Sequence, residues 1–265
     1  MQLSHLIQFL NEIAPEQFQE SYDNAGLITG HPDMTIQGVL VTLDCIESIV
    51  DEAIELGCNV IVAHHPIVFS GLKRLNGYNY VERTIIKAIK HDIAIYAIHT
   101  NLDNVFLSGV NTKISDKLAL HDIEILAPKP DIIYKNYPVG AGMTGYLPAP
   151  MEPELFFEYV KDKMELKVFK HTAICKDKIL KVALCGGSGG FLLQQSIRSG
   201  ADVFITSDYK YHEFFDADGK IIIIDTGHFE SEKFTIDLLY DLIVNNFSTF
   251  ATHYTNIITN PINFY

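Results

Sequence analysis

Short runs of apolar, mostly β-branched residues alternate with helical patterns along the chain, and this alternation restricts the possible fold more than any other feature. The runs are GVLVTLD (38–44), CNVIVAHH (58–65), IAIYAIH (93–99), LKVALCG (180–186), DVFITSD (202–208) and KIIIID (220–225). Strands that alternate with helices are typical of an α/β fold with a largely parallel sheet. Because the runs are apolar at consecutive positions, we expect both faces of the sheet to be covered.

The segments between these runs carry the signals of helices. In DCIESIVDEAIELG (44–57) the apolar residues have helical spacing, and Asp44 followed by Glu47 resembles a capping box. Gly57 stands where such a helix would stop. The segments YVERTIIKAIKH (80–91) and GGFLLQQSIRSG (189–200) repeat the pattern.

Two stretches, 39–65 and 181–208, share one order of strand, helix, glycine and strand, and His64 and His65 fall opposite Ser207 and Asp208. This match predicts an internal duplication, with two similar α/β lobes packed around a shared cleft; a chance match between common βαβ units is the alternative. The predicted parts are an N-terminal lobe (1–127), a proline-rich linking segment or small subdomain (128–178) and a second lobe (179–265).

Composition excludes several classes of function. The chain of 265 residues has 33 acidic and 20 basic residues and a formal net charge of −13, so non-specific binding to nucleic acid is not expected. The four cysteines form no CxxC pair, which favours reduced thiols. No signal peptide and no apolar run near the ~20 residues of a membrane span is evident. We therefore expect a cytoplasmic protein without a membrane partner.

Histidine and acidic residues stand where the predicted strands end. His64 and His65 follow VIVA directly, and Pro66 then stops the strand. Asp103 closes the segment HTNLD (99–103) after another strand. Each pattern has an ordinary alternative, a partly exposed histidine pair in the first case and an Asn/Asp turn in the second.

A third cluster lies in IIIIDTGHFESEKF (221–234). Thr226 is placed to cap a helix, in which His228 and Glu232 are at positions i and i+4 on one face. That spacing suits a shared metal ion, although an isolated pair of this kind could equally form a surface hydrogen bond.

Taken together, the five side chains predict a metal centre, because the ends of neighbouring strands meet at one edge of a sheet. Imidazole and carboxylate ligands suit Zn, Mn, Fe, Co or Ni. Five donors exceed what one catalytic zinc ion needs, so we expect two divalent ions. In this hypothesis Glu232 bridges the ions, His65 and Asp103 bind one, and His64 and His228 bind the other.

The motifs AHHPIVF, HTNLD, TSDYKYHEF, DTGHFESE and YDNAGL (22–27) resemble the family of GTP cyclohydrolase 1 type 2 homologs, the NIF-three-like proteins, over nearly the whole chain. Tyr22 stands where many members have Trp. The resemblance implies two similar lobes, a dinuclear metal centre between them and a toroidal homohexamer. It places the metal ligands on the residues already singled out, which are His64, His65, Asp103, His228 and Glu232.

The same resemblance implies opening of the guanine imidazole ring by a metal-dependent hydrolase. Within this interpretation His99 is a catalytic base or a residue that orients a ligand, and Asn24, Asp208 and His212 contact a nucleotide-like substrate. GGSGG (186–190) could bind a phosphate through its backbone or be a tight turn. The alternative function is a metal-binding scaffold or metallochaperone that acts through partner proteins without turnover. The apolar C-terminal segment NIITNPINFY is expected to pack on a neighbouring subunit.

Overall fold

The computed structural model describes every residue from Met1 to Tyr265 and divides the chain into two compact units. The first unit combines Met1–Leu102 with Thr235–Tyr265, and the second comprises Asp103–Phe234. Each unit contains one β-sheet with helices, so the fold is mixed α/β with two sheets. Helices and strands are numbered below in chain order.

The first unit is built on a five-stranded sheet in the order β1-β4-β3-β2-β11. Its elements are α1 (Leu3–Ile13), β1 (Gly26–Thr29), β2 (Gly38–Thr42), α2 (Glu47–Glu55), β3 (Val60–Ala63), α3 (Tyr80–Lys90), β4 (Ala94–Ala97), the start of α4 (Thr100–Asp103), most of α9 (Phe234–Asn246) and β11 (Ala251–Tyr254). The strands β11, β2, β3 and β4 are parallel, and β1 is antiparallel to β4. Every residue of β2, β3 and β4 is buried, as expected for strands covered on both faces.

The second unit is built on a six-stranded sheet in the order β5-β6-β8-β9-β10-β7. Its elements are α5 (Val110–Lys117), β5 (His121–Tyr134), β6 (Tyr137–Met151), α6 (Pro153–Lys163), β7 (Lys170–His171), β8 (Ile179–Ser188), α7 (Leu193–Arg198), β9 (Val203–Ser207), β10 (Ile222–Asp225) and α8 (His228–Glu232). Only β8, β9 and β10 are mutually parallel, and the remaining pairs are antiparallel. This sheet is therefore mixed, and not largely parallel as the alternation of strands and helices predicts.

All six predicted strands and the three predicted helices are present, with ends that differ by a few residues. Gly57 and Gly200 follow α2 and α7 with φ of +69° and +75°, the left-handed conformation in which helices commonly stop. All four cysteines are free thiols. None of the helices combines the length and the apolar character needed to cross a bilayer.

The proline-rich segment 128–178 is more regular than its composition predicts. Much of it belongs to the hairpin β5–β6, whose two-residue turn at Lys135 and Asn136 has positive φ at both positions, typical of a type I′ turn. Pro128 and Pro130 are tolerated because β5 is the edge strand of its sheet. The three predicted segments do not coincide with the two units, because residues after α8 return to the first sheet, where β11 pairs with β2.

Two predicted helix caps are wrong. The N-cap residue of α2 is Ile46 and no side chain caps this helix, since the Asp44 carboxylate binds His65 instead. Likewise α8 begins after Gly227, while the Thr226 hydroxyl donates to the backbone carbonyl of Thr206. In both places the side chain bonds to a residue distant in sequence rather than to the neighbouring helix.

Candidate functional site

Three imidazoles cluster at the carboxyl ends of β3 and β4 in the first unit. His64 and His65 follow β3, and His99 lies two residues beyond β4. The ring centroids of His64 and His65 are 4.8 Å apart, and each lies 5.3 Å from that of His99. One nitrogen of each ring lies within 4.8 Å of the others, so the group has a composition and spacing that could bind a metal ion. Adjacent side chains of a regular strand point to opposite faces, but β3 ends at Ala63 and this alternation no longer applies.

The Nδ1 atom of each imidazole bonds to an oxygen atom. His64 Nδ1 lies 2.8 Å from the carbonyl oxygen of Ile98, His65 Nδ1 lies 2.8 Å from Asp44 Oδ1, and His99 Nδ1 lies 2.8 Å from Asp23 Oδ1. We assign Nδ1 as the protonated nitrogen that donates in each bond, which makes Nε2 the atom that would coordinate a metal. Metal-binding histidines are commonly oriented by such bonds to carbonyl and carboxylate groups.

Asp23 accepts more hydrogen bonds than the other two oxygen acceptors. Its side chain is fully buried, and it accepts hydrogen bonds from His99 and from the backbone and hydroxyl of Thr100. Burial alone would raise the pKa of Asp23, but the hydrogen bond and charge of His99, with the bond from Thr100, lower it from 3.8 to about 2. Asp23 is therefore ionised at neutral pH and holds the His99 ring in one orientation.

The second unit has its own imidazole and carboxylate group. His228 and Glu232 are the first and last residues of α8, and His228 Nε2 lies 3.0 Å from Glu232 Oε2. His228 Nδ1 lies 2.7 Å from Asp208 Oδ2, which follows β9. The Glu232 side chain is 3% exposed. The i,i+4 pair predicted from the sequence is therefore formed, with a buried carboxylate and a second carboxylate on the other ring nitrogen.

Gly187 makes room for the Glu232 carboxylate. Its φ is +62°, and a Cβ at this position would come within 2.3 Å of Glu232 Oε1. The amide groups of Gly186, Gly187 and Gly189 donate to the side chains of Asn111, Ser231 and Thr206, respectively. These bonds use three of the five backbone amides of the GGSGG segment, whose first three residues belong to β8, and phosphate binding by this segment stays a prediction.

Asp103 ends α4 and is the first residue of the second unit. The Asn111 side chain donates to its backbone carbonyl over 3.0 Å. Complete burial, and then the charges of Asp103 and Glu232, raise the pKa of Cys185 well above its ordinary value. Both carboxylates thus lie close to this thiol, which stays neutral and leaves oxygen and nitrogen as the donor atoms of the second unit.

The whole chain matches one family of proteins. A family model described as Duf34/NIF3 (NGG1p interacting factor 3) matches residues 1–261. The chain belongs to the Duf34/NIF3 family. The resemblance inferred from the HHP, HTNLD and GHFESE motifs is thereby confirmed.

Relatives in this family share sequence and fold with the chain over nearly its full length. A GTP cyclohydrolase 1 type 2 homolog of Campylobacter jejuni is 35% identical over 235 residues, which cover 88% of both chains. Another, from Clostridium perfringens, is 33% identical over 239 residues, covering 88% of this chain and 87% of the relative. A hypothetical protein of Staphylococcus aureus has a TM-score of 0.90 and 29% identity, covering 100% of this chain and 99% of that one. A Bacillus cereus protein related to NIF3 has a TM-score of 0.89 and 26% identity with the same coverage.

The residues predicted to contact substrate lie in different surroundings. Asn24 donates from its side chain to the carbonyl oxygen of Val68 over 2.7 Å. Asp208 orients His228, which is a sufficient structural reason for an acidic residue there. His212 lies on an exposed 3₁₀ turn (Tyr211–Ala217), where its ring centroid is 5.1 Å from that of Tyr211. A substrate contact by any of the three stays a prediction.

Sequence reasoning missed two carboxylates that hold the imidazoles. Asp23 lies within the YDNAGL motif, yet its partner His99 is 76 residues away. Asp44 was attributed to a helix cap. The available signal is its position two residues beyond β2, the neighbour of β3, because the ends of adjacent parallel strands lie side by side.

Proposed function

We propose that this member of the Duf34/NIF3 family binds two divalent metal ions through His64, His65, Asp103, His228 and Glu232 and hydrolyses a nucleotide-like substrate. The observation that carries the proposal is the hydrogen bonding of the imidazoles. His65 and His228 each place Nδ1 on a carboxylate, and His64 places it on a carbonyl. Three residues oriented in the manner of metal ligands are unexpected for histidines that only fill space.

The proposed ligand atoms suit divalent metal ions of hard or borderline character. They are imidazole nitrogens and carboxylate oxygens, the ligands that suit Zn, Mn, Fe, Co and Ni. In this proposal the five side chains would together hold the ions, and Glu232 would serve both.

An internal duplication belongs to the same proposal, and the order of elements in each unit supports it. The first unit runs α1, antiparallel β1, then β2, α2, β3 and β4, with the last three strands adjacent and parallel. The second unit runs α6, antiparallel β7, then β8, α7, β9 and β10 in the same arrangement. Each order ends in a short helix that carries a proposed ligand, Asp103 in α4 and His228 in α8.

The substrate class rests on the relatives, two of which are named GTP cyclohydrolase 1 type 2 homologs. Bound ions would supply Lewis acidity to the reacting group. His99, held by Asp23, is proposed to move a proton at the substrate, since an imidazole fixed at Nδ1 presents Nε2 as a base. Asn24 and His212 are proposed substrate contacts, a homohexamer is the proposed assembly, and the cytoplasm is the proposed location.

Metal content per chain tests the binding step. We expect about two ions per chain in the wild-type protein purified without a metal-binding tag, and a sharp fall in Asp103→Ala and Glu232→Ala. The matched controls are Asp162→Ala and Glu158→Ala on α6, whose side chains are 80% and 74% exposed. A wild-type protein that stays free of metal after reconstitution would refute the proposed centre.

Turnover of GTP and related nucleotides, followed by chromatography, tests the hydrolytic step. We expect activity that is lost in Asp103→Ala and retained in Asp162→Ala. A protein that binds two ions but turns over no nucleotide, and that transfers metal reversibly to a partner protein, would favour the metallochaperone function instead. Light scattering of the same samples gives the number of chains in the assembly.

A further inference from the structure

A segment near the C-terminus reaches the carboxylate that orients His65. Thr259 Oγ1 lies 2.6 Å from Asp44 Oδ2, and Asp44 Oδ1 lies 2.8 Å from His65 Nδ1. The three residues form a continuous line of hydrogen bonds, although Thr259 and Asp44 are 215 residues apart. Thr259 lies in the apolar C-terminal segment 256–265, and its hydroxyl bonds to Asp44 of the same unit; packing of this segment on a neighbouring subunit stays a prediction.

Buried contacts hold this segment in place before it reaches Asp44. The backbone amide of Thr255 donates to the carbonyl of Val41, extending the pairing of β11 with β2. The Glu52 carboxylate, 8% exposed, accepts hydrogen bonds from the Thr255 hydroxyl and the Asn256 amide. Ile257 packs against the apolar core of the first unit. Thr259 is thus presented to Asp44 from a fixed backbone and not from a loose end.

We propose that Thr259 is a positioning residue for the metal centre, acting on His65 through Asp44. A carboxylate with one oxygen bonded to a hydroxyl has less freedom to rotate, so its other oxygen stays directed at His65 Nδ1. That bond determines which ring nitrogen is protonated and where Nε2 points. The effect on metal binding rests on the proposed function, whereas the effect on the His65 ring does not.

The size of the effect follows from its place outside the ligand shell. Changing a residue bonded directly to a metal ligand typically lowers metal affinity by about 10–100-fold. Thr259 is one bond further out, so we expect Thr259→Val to lower affinity by about three- to tenfold. Thr259→Ser retains the hydroxyl and should bind metal like the wild type.

Thr255→Val is the matched control. Thr255 lies in the same segment and its hydroxyl also bonds to a carboxylate, but that carboxylate is Glu52. Removing either hydroxyl removes one hydrogen bond to a carboxylate, so the two valine variants should lose a similar amount of stability. A purely structural role for Thr259 therefore predicts that both valine variants behave alike toward metal and toward His65.

The test uses two readouts on the full chain. In the metal-free protein with ¹⁵N-labelled histidine, NMR reports the Nδ1–H signal and the tautomer of His65. Competition between the protein and a chelator reports the affinity for Zn²⁺. We expect Thr259→Val to shift or broaden the His65 Nδ1–H signal and weaken Zn²⁺ binding, while Thr259→Ser and Thr255→Val leave both unchanged.

An unchanged His65 signal and unchanged Zn²⁺ affinity in Thr259→Val would overturn the inference, and Thr259→Ala repeats the test if the valine variant misfolds. The two proposals fail in different ways. If the wild type binds no Zn²⁺, the metal centre is refuted, and the NMR comparison still decides whether Thr259 orients His65.

Discussion

Gly187 lies directly against the carboxylate of Glu232, at a distance where a methyl group in place of its hydrogen would overlap Oε1. The position has two separate requirements for glycine, the positive φ of +62° and the close approach of Glu232. Gly200 has only the first requirement, since its φ is +75° and nothing lies within 4 Å of its Cβ position. The two glycines therefore separate backbone strain from displacement of the proposed bridging ligand.

We expect Gly187→Ala to lower both stability and metal content. The positive φ should lower the free energy of unfolding by about 1–2 kcal/mol in Gly187→Ala and in Gly200→Ala alike. Displacement of Glu232 should add to this and reduce bound metal only in Gly187→Ala. Urea unfolding and metal analysis of both variants check the prediction. Equal metal content in the two would contradict a ligand role for Glu232.

Asp208 should tune the metal affinity of the second unit through His228. Removing its charge with Asp208→Asn weakens the bond to His228 Nδ1, so we expect a loss of Zn²⁺ affinity of about 10–100-fold. Asp218→Asn is the control, because Asp208 and Asp218 both have positive φ, 62° and 48°, and asparagine tolerates this conformation. Chelator competition measures both variants. If both variants bind Zn²⁺ with the same affinity, Asp208 does not influence metal binding through His228. Its role would then be contact with substrate or with solvent.

The buried carboxylate of Asp225 depends on Lys170. The Asp225 side chain is 2% exposed, and its Oδ2 lies 2.6 Å from Lys170 Nζ. Lys170→Met leaves this charge with fewer partners, so we expect the free energy of unfolding to fall by about 1–3 kcal/mol. Lys220→Met, which removes a pair with the exposed Asp218, should leave the free energy of unfolding nearly unchanged. Chemical denaturation of both variants provides the comparison.

Asp23 should make stability depend on pH under acidic conditions. Its pKa is about 2 in the folded protein against 3.8 ordinarily, so on acidification the unfolded chain takes up the proton first. The contribution is complete above about pH 5, is lost progressively as the pH falls through 3.8 toward 2, and amounts to on the order of 2 kcal/mol. Urea unfolding of the wild type and Asp23→Asn from pH 6 to pH 2.5 should show the difference between them shrinking with acid. A constant difference would mean that Asp23 does not titrate in this range.

The sequence predicted the strands well because their signal is local. Runs such as VIVA (60–63) and IIII (221–224) are apolar at every position, and a strand buried on both faces needs no information from elsewhere in the chain. The pairing of β11 with β2 was not predictable in this way, since it joins residues 251–254 to residues 38–41 and the short run ATHY has no distinctive pattern. The antiparallel half of the second sheet was missed because the prolines of β5 and β6 suggested a linker.

In the candidate site, too, the residues with a local sequence signal were predicted and those that depend on distant contacts were missed. The rule that strand ends meet brought His64, His65 and His99 together correctly, and the i,i+4 spacing gave the His228–Glu232 pair. The residues that orient them were missed where a local explanation competed. Asp44 next to a helix looks like a cap, and only the folded chain shows that its carboxylate turns to His65. Whether the five proposed ligands hold metal is still a prediction.

The first unit is assembled from two separate segments of the chain, and this has a consequence for biosynthesis. This unit is made from residues before 103 and after 234, so residues 103–234 leave the ribosome before its sheet can gain the fifth strand. At about 5–20 residues per second, roughly 10–40 s separate the synthesis of His65 from that of Thr259. During that interval the nascent chain contains the HHP motif without the segment that completes the hydrogen bonds of Asp44. If Thr259 has the proposed positioning role, the His65 ring gains its full orientation only after translation is finished, and loading with metal is expected to follow release of the chain rather than accompany its synthesis.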